Sequence, residues 1–277
     1  MDTIRLIASD MDHTLLTERG ELPPHFNDYI SRLDKLGIDF VIASGRSLYN
    51  LETIFPEIKH KISFISDNGA VISHKGEIIF TNLLKPADYQ AMARFVEDKT
   101  EGIPILCGLN SAFVAAKYKI YEDYLNTFYS KTTLVEKLDE VTVEADKFTV
   151  YFPHEDSKEH CERVFKPQYG ARFSVTTGDA IWIDITNYGV DKGQAIQTLG
   201  KELGLKPEQM MAFGDTYNDI EMLQAVKYSY IVRNADDDMR QYARFIADSN
   251  DNFGVLKVID QLISDYSTEG SPEGVKN

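Results

Sequence analysis

The sequence predicts an α/β fold in which a mostly parallel sheet forms a core and a second α/β domain is inserted into it. Near both ends of the 277-residue chain, short apolar runs alternate with amphipathic helical patterns, as expected for βαβ units. Between about residues 82 and 185, candidate strands alternate apolar and polar residues, which is typical of an antiparallel sheet with one face exposed to water or covered by helices. We therefore assign residues 1–81 and 186–277 to the core, and residues 82–185 to the insertion.

The core elements are predicted from apolar runs bounded by glycine, proline or polar clusters. Residues 6–8 form the first candidate strand, and a helix begins near Pro23 and ends at Gly37. A second helix is predicted over residues 189–204. The further core strands predicted in this way are residues 40–43, 62–65, 210–213, 228–232 and 245–247.

The insertion is predicted from two alternating segments, residues 147–152 and 180–185. An aromatic-rich segment lies between residue 118 and residue 128, and we favour packing of its side chains in the interior of the insertion over stacking on a substrate. These aromatic residues are Tyr118, Tyr121, Tyr124 and Phe128.

Composition excludes several classes of function. The net charge of −15 is poorly suited to displacing counterions from nucleic acid, so we expect no nucleic-acid partner. The two cysteines are far apart and show no CxxC spacing, which argues against a disulfide framework and suits a reducing cytoplasm. No segment approaches the roughly 20 apolar residues of a membrane helix. We expect a cytoplasmic monomer or homodimer without a membrane partner.

Four polar clusters follow short apolar runs or begin a helix. Because ligands bind outside the carboxyl ends of strands in open α/β sheets, we expect the clusters to meet in one crevice. Each cluster alone would be an ordinary turn or helix cap, and their joint occurrence in order favours a functional site. The clusters are residues 10–14, 44–46, 191–193 and 214–219.

These side chains suit phosphoryl transfer assisted by a divalent cation. Asp10 and Asp215 would supply hard oxygen ligands for Mg²⁺, and Asp219 would ligate the ion or hold a metal-bound water. Carboxylates are also competent nucleophiles, so Asp10 would attack phosphorus and form an aspartyl-phosphate. Asp12 would donate a proton to the leaving oxygen and later accept one from water.

Two further side chains are expected to bind the phosphoryl oxygens. Ser44 provides a hydroxyl, and Lys192 provides a compact positive charge near a helix N-terminus. The catalytic residues predicted in this way are Asp10, Asp12, Ser44 and Lys192.

The segments DMDHTLL, IASGR, DKG and GDTYND together resemble the motifs of the haloacid dehalogenase-like phosphatase superfamily. The chain is most similar in plan to the Cof-type sugar-phosphatase branch. That resemblance implies a Rossmann-like core with an α/β cap domain inserted between the serine and lysine motifs, which agrees with the insertion at 82–185. His13 is a departure, because the family commonly has glycine there, and we interpret it as a solvent-facing turn residue.

The resemblance also implies residue roles. Asp12 would ligate the metal through its backbone carbonyl in addition to its acid–base role, and Asn218 would lie on the phosphate side of the site. The implied Mg²⁺ ligands are Asp10, Asp12, Asp215 and Asp219. The implied substrate-binding residues are Ser44, Gly45, Arg46, Asn68, Gly69, Lys192 and Asn218.

The expected function is a Mg²⁺-dependent hydrolase that cleaves a small phosphomonoester, such as a sugar phosphate, through an aspartyl-phosphate. Asp12 favours phosphate transfer over dehalogenation, because a halide leaving group needs no proton. Two alternatives stay open at this point. One is a phosphomutase of the phosphomannomutase type, and the other is a non-catalytic regulator that binds a phosphometabolite.

Overall fold

The computed structural model describes residues 3–178 and 180–269. Within these residues the chain forms two sheets, of eight and six strands. In chain order the strands are β1 (Leu6–Asp10), β2 (Asp39–Ala43), β3 (Ser63–Ser66), β4 (Val71–His74), β5 (Glu77–Thr81), β6 (Ile103–Gly108), β7 (Ser111–Ala115), β8 (Thr132–Val135), β9 (Ala145–Tyr151), β10 (Phe173–Gly178), β11 (Trp182–Asn187), β12 (Met210–Gly214), β13 (Tyr228–Val232) and β14 (Phe245–Ala247).

Helices connect these strands and cover the sheets. In chain order the α-helices of the described residues are α1 (Phe26–Lys35), α2 (Leu48–Ile54), α3 (Pro86–Lys99), α4 (Glu122–Leu125), α5 (Ser157–His160), α6 (Lys166–Tyr169), α7 (Lys192–Glu202), α8 (Ile220–Ala225) and α9 (Gly254–Glu269). The two helices predicted in the core correspond to α1 and α7. Every described helix is too short or too polar to span a membrane.

The eight-stranded sheet is the predicted parallel core. Its order is β14-β13-β12-β1-β2-β3-β4-β5, and the six strands from β14 to β3 run parallel. Strands β4 and β5, which were not predicted from the sequence, extend the edge as antiparallel strands. All residues of β1 are buried, because helices cover both faces of the sheet. Asp10 pairs with Ala43, so the carboxyl ends of β1 and β2 lie side by side.

The six-stranded sheet has the order β10-β11-β9-β6-β7-β8 and is antiparallel except between β7 and β8. The predicted antiparallel sheet of the insertion is therefore confirmed, and one pair of its strands, β7 and β8, runs parallel. A connection of sixteen residues that includes α4 carries the chain back to the same end of the sheet.

Strand β9 alternates polar and apolar residues and yet is buried throughout. Phe148 and Val150 belong to the apolar cluster beneath α3. Lys147 and Thr149, on the other face, line a cavity against the core. The polar face of β9 therefore packs against the core of the protein. The alternation had predicted that this face would be exposed to water or covered by a helix.

The two sheets are joined by two chain crossings. Asn187 Nδ2 donates to Asn82 Oδ1 at 2.7 Å and to the Leu83 carbonyl at 2.9 Å, which ties the crossings together. Strand β11 continues to Asn187, so the predicted boundary after residue 185 lies inside a strand. The division into a core and a cap domain remains a prediction.

Candidate active site

Asp10 is the last residue of β1, and its side chain lies at the carboxyl edge of the core sheet. It is 5% exposed. A short turn follows, in which His13 adopts φ 61°, the left-handed region that favours glycine. Asn234 Nδ2 donates to the His13 carbonyl at 2.8 Å, and the imidazole points outward. His13 therefore keeps the turn geometry without glycine and lies at the surface, as expected.

Lys192 is the first residue of α7 and is fully buried. Its Nζ donates to Asp10 Oδ1 at 2.6 Å and to Asp219 Oδ1 at 2.7 Å. The next residue has to be glycine, because a Cβ on Gly193 would lie 2.5 Å from the backbone of Glu221 in α8. The close approach of α7 and α8 thus brings the ammonium group to the end of β1.

Asp215 follows β12, the strand that pairs with β1 on the side opposite β2. Carboxylate oxygens of Asp10, Asp215 and Asp219 lie within 4.8 Å of one another. Asp219 Oδ2 accepts hydrogen bonds from the amides of Asp215 at 3.0 Å and Thr216 at 3.3 Å. The loop after β12 therefore folds around the Asp219 carboxylate and directs it at Lys192.

The electrostatics of this cluster favour a cation. Burial raises the pKa of Asp10 well above its usual value, and the neighbouring Asp219 and Asp215 add to this, whereas Lys192 opposes it. Burial and Asp219 likewise raise the pKa of Asp215 to about 6. One ammonium faces three carboxylates, so the fully ionised cluster has an excess negative charge. Hard carboxylate oxygens with uncompensated charge fit Mg²⁺.

Asp12 lies two residues beyond Asp10 and is partly exposed, with 41% of its side chain accessible. Arg46 holds it in a two-pronged contact, with Nη2 donating to Oδ1 at 2.7 Å and Nε donating to Oδ2 at 3.0 Å. This fork fixes the plane of the carboxylate. Ser44 is buried at the end of β2, and its Oγ accepts the Arg46 amide at 3.2 Å.

The loop after β3 forms the side of the site next to Ser44. Gly69 has φ 111°, and a Cβ there would lie 2.4 Å from the Asp191 carbonyl, so only glycine fits. Asn218 Nδ2 donates to Asn68 Oδ1 at 3.1 Å. A Cβ on Gly45 would lie 3.2 Å from the Asn68 amide, so these loops are in close contact. The structure thus brings the candidate site residues predicted from the sequence to one edge of the core sheet.

Sequence reasoning missed residues that join this edge to the insertion. Lys147 of β9 is buried, its Nζ lies 2.8 Å from Asp67 Oδ1, and it donates to the Gly45 carbonyl at 3.1 Å. Burial lowers the pKa of Lys147, but the neighbouring Asp184 and Asp67 outweigh it, so the net shift is upward and the ammonium is retained. The lysine at the start of the alternating segment 147–152 was the feature of the sequence that could have indicated this contact.

Thr14 was also missed. Its Oγ1 donates to Asp215 Oδ1 at 2.9 Å, which orients the Asp215 carboxylate. The signal was its place inside the first motif, four residues after Asp10.

The sequence matches the family described as haloacid dehalogenase-like hydrolase over residues 7–259. The chain belongs to this family. The resemblance inferred from the four motifs is therefore confirmed. The family and its phosphatase members show that the protein is a phosphatase, an enzyme that hydrolyses phosphate esters.

Several relatives match across almost the whole chain. The 5-amino-6-(5-phospho-D-ribitylamino)uracil phosphatase YbjI of Escherichia coli is 30% identical over 266 residues, covering 94% of this chain and 97% of the relative. The phosphatase YcsE of Bacillus subtilis, named for the same substrate, is 26% identical over 92% of this chain and 94% of its own. The crystal structure of SMU.1108c from Streptococcus mutans is 30% identical, with a TM-score of 0.83 over 95% of this chain and 100% of that one.

Proposed function

We propose that this phosphatase is a Mg²⁺-dependent phosphomonoesterase that forms an aspartyl-phosphate on Asp10. The observation that supports the proposal is that the buried Lys192 ammonium donates to both Asp10 and Asp219. Asp215 lies beside them. A nucleophilic carboxylate, a cluster of hard oxygen ligands and a fixed positive charge meet there at the end of one strand. Phosphoryl transfer through an aspartyl-phosphate uses these three elements in one place.

Asp10 and Asp215 would hold the Mg²⁺ ion, together with the Asp12 carbonyl, and Asp219 would support them. The bound ion would supply positive charge that offsets repulsion between the carboxylates and the incoming phosphate dianion. Asp219 already accepts from Lys192 and from two backbone amides, which gives it a fixed orientation for this supporting role.

The chain's own residues account for the proton and bond changes. The Asp10 carboxylate attacks phosphorus, the bond to the leaving oxygen breaks, and Asp12 protonates that oxygen. Asp12 then takes a proton from water, which attacks the phosphorus of the aspartyl-phosphate and releases Asp10 and inorganic phosphate. Arg46 keeps Asp12 oriented for both steps, because its guanidinium binds both carboxylate oxygens.

Lys192 and Ser44 bind the phosphoryl oxygens in this scheme. Burial lowers the pKa of Lys192, but Asp10 and Asp219 raise it more, so the ammonium stays charged. Gly45, Asn68, Gly69 and Asn218 form the surrounding loops, where backbone amides and side-chain amides are available to the substrate.

The substrate would be a small phosphometabolite in the cytoplasm, such as a sugar phosphate. The names of the Escherichia coli and Bacillus subtilis relatives make 5-amino-6-(5-phospho-D-ribitylamino)uracil a specific candidate. A phosphomutase would have to bind a bisphosphate. Two cations, Arg46 and Lys147, line the cavity near Asp12. Both are already paired with carboxylates, which disfavours a second phosphate there.

The test is hydrolysis of p-nitrophenyl phosphate by the wild type and by Asp10→Asn, with Mg²⁺ and after chelation by EDTA. We expect chelation to abolish turnover, Mg²⁺ to restore it, and Asp10→Asn to lower kcat by at least about 10³-fold. Asp123→Asn, an exposed carboxyl of the insertion, is the matched control and should keep wild-type activity. Full activity in Asp10→Asn would refute the mechanism.

A further inference from the structure

A cavity of about 260 Å³ lies between the loop after β2 and the β9 and β11 strands of the insertion. Arg46 lines this cavity, and the same guanidinium binds Asp12. In the proposed mechanism, Asp12 protonates the leaving oxygen. The cavity therefore begins at the point where the leaving group of the substrate would emerge from the reacting phosphate.

One wall of the cavity is aromatic. Phe128 and Trp182 line it, with ring centroids 5.0 Å apart in an edge-to-face arrangement. Tyr151 lies against Trp182 with a centroid distance of 4.9 Å. Phe128 is 42% exposed and Tyr124 is 40% exposed, so the expectation that these two residues pack in the interior of the insertion was wrong. The Phe128 ring instead presents open apolar surface beside the site.

The backbone near Phe128 is fixed to the core. Asn50 of α2 donates to the Phe128 carbonyl, and its Oδ1 accepts from the Ser130 amide at 2.6 Å. The aromatic wall is thus held at a defined position opposite Arg46. A preformed wall loses little freedom when a ring packs against it.

The remaining wall offers a hydrogen-bond acceptor. Asp184 Oδ1 accepts from Thr149 Oγ1 at 2.6 Å, whereas Asp184 Oδ2 lies 3.7 Å from Lys147 Nζ, beyond hydrogen-bond distance. The Lys147 ammonium contacts Asp67 and the Gly45 carbonyl more closely. Asp184 Oδ2 therefore keeps acceptor capacity toward a ligand, and the local excess of carboxylates favours N–H or O–H donors over anions.

We propose that this cavity selects phosphate esters whose leaving group carries a planar heteroaromatic ring with N–H donors. The ring would lie against Phe128 and Trp182, and an N–H would donate to Asp184. This inference rests on the proposed function, since it places the leaving group beside Asp12. The volume lies just below the range of about 300–1,000 Å³ usual for small-ligand pockets, so it suits one ring with a short chain.

A pair of esters that differ only in the ring gives the direct test. 5-Amino-6-(5-phospho-D-ribitylamino)uracil carries the ring, and D-ribitol 5-phosphate has the same phosphorylated chain without it. We expect wild-type kcat/KM to favour the ring-bearing ester by about tenfold or more, the effect of one aromatic stacking contact. Phe128→Leu keeps apolar volume but removes the ring, and should lose most of this preference.

Phe245→Leu is the matched control. Phe245 of β14 is 43% exposed, stacks on Tyr230 and belongs to the edge of the core sheet remote from the insertion. It should keep the wild-type preference. Asp184→Asn is the second variant, and it should also reduce the preference, because an amide nitrogen replaces one acceptor oxygen.

A binding measurement makes the test independent of turnover. Trp182 is the only tryptophan of the chain, so intrinsic tryptophan fluorescence reports on the cavity wall. In Asp10→Asn, the ring-bearing ester should change this fluorescence at concentrations where D-ribitol 5-phosphate does not. Free N-acetyltryptophanamide under the same conditions corrects for light absorbed by the ester.

Two outcomes would overturn the inference. One is equal kcat/KM for the two esters, or turnover of neither while p-nitrophenyl phosphate is hydrolysed. The other is a ring preference that Phe128→Leu and Asp184→Asn leave unchanged. Both outcomes keep the proposed function, whereas failure of the wild type to hydrolyse any phosphomonoester with Mg²⁺ would refute that function itself.

Discussion

Lys192 and Asp10 are separated by 182 positions in the chain, and their Nζ and Oδ1 atoms lie 2.6 Å apart in a buried contact. The same ammonium also binds Asp219. Three parts of the chain, namely the end of β1, the start of α7 and the loop after β12, are thereby held together by one positive charge. Removing either partner of a buried ion pair lowers the stability of the fold, because the remaining charge is left buried without a partner.

Replacing this lysine should therefore destabilise the protein more than it would at the surface. Lys192→Met leaves Asp10 and Asp219 buried without a cation, and we expect a loss of about 3–5 kcal/mol in the free energy of unfolding without metal. Mg²⁺ should restore part of the loss. Urea unfolding with EDTA and with Mg²⁺ measures both effects. Lys201→Met, at an exposed position of the same helix, is the control, and an equal loss there would contradict the prediction.

Arg46→Lys should affect the reaction according to the leaving group. Lysine cannot reproduce the fork that binds both oxygens of Asp12, so proton donation to the leaving oxygen should weaken. Alkyl phosphates need that proton, and we expect their kcat to fall by about 10²-fold. The p-nitrophenolate ion leaves without a proton, so its release in the first turnover should be affected much less, although later turnovers also need Asp12 as the base for water. An equal decrease in the first-turnover rates of the two substrates would show that Arg46 acts in some other way.

Asp146 of β9 should make stability depend on pH. Burial raises the pKa of Asp146 well above 3.8, and Asp67 adds to this, whereas Lys147 opposes it. The folded state therefore holds a proton that the unfolded state releases. The resulting stability is fully present below about pH 4 and is lost as the pH rises through the folded-state pKa.

Asp146→Asn removes this titration while keeping the shape of the side chain. We expect its Tm relative to the wild type to increase between pH 5 and pH 8, because the unfolded wild type releases a proton that the folded carboxyl retains. Asp123→Asn, at an exposed position, should show no such trend. A constant Tm difference across this range would mean that Asp146 does not titrate differently in the folded state.

The core of the fold was predictable, because each buried parallel strand appears as an apolar run that ends in a polar cluster. Strands β13 and β14 coincide with the predicted residues, and β1, β2, β3 and β12 differ by one or two residues at their ends. The meeting of Asp10, Lys192 and Asp215 was expected for the same reason, since parallel strands bring their carboxyl ends to one edge.

The contacts between the insertion and the core were not predictable from the pattern. Lys147 looks like an exposed residue of an alternating strand, and only the position of the core against β9 makes it buried. Phe128 looks like an interior aromatic residue, and its exposure depends on how Asn50 holds the adjoining loop. Alternation reports that a strand has two different faces, but it does not identify what covers each of them.

The central claim is that phosphate passes through Asp10. Asp12→Asn should still transfer phosphate from p-nitrophenyl phosphate, whose leaving group needs no proton, but should hydrolyse the aspartyl-phosphate slowly, because the base for water is missing. Acid quenching, borohydride reduction and peptide mass spectrometry should then find homoserine at position 10. Release of p-nitrophenolate by this variant with no homoserine there, or with homoserine at another aspartate, would contradict the account.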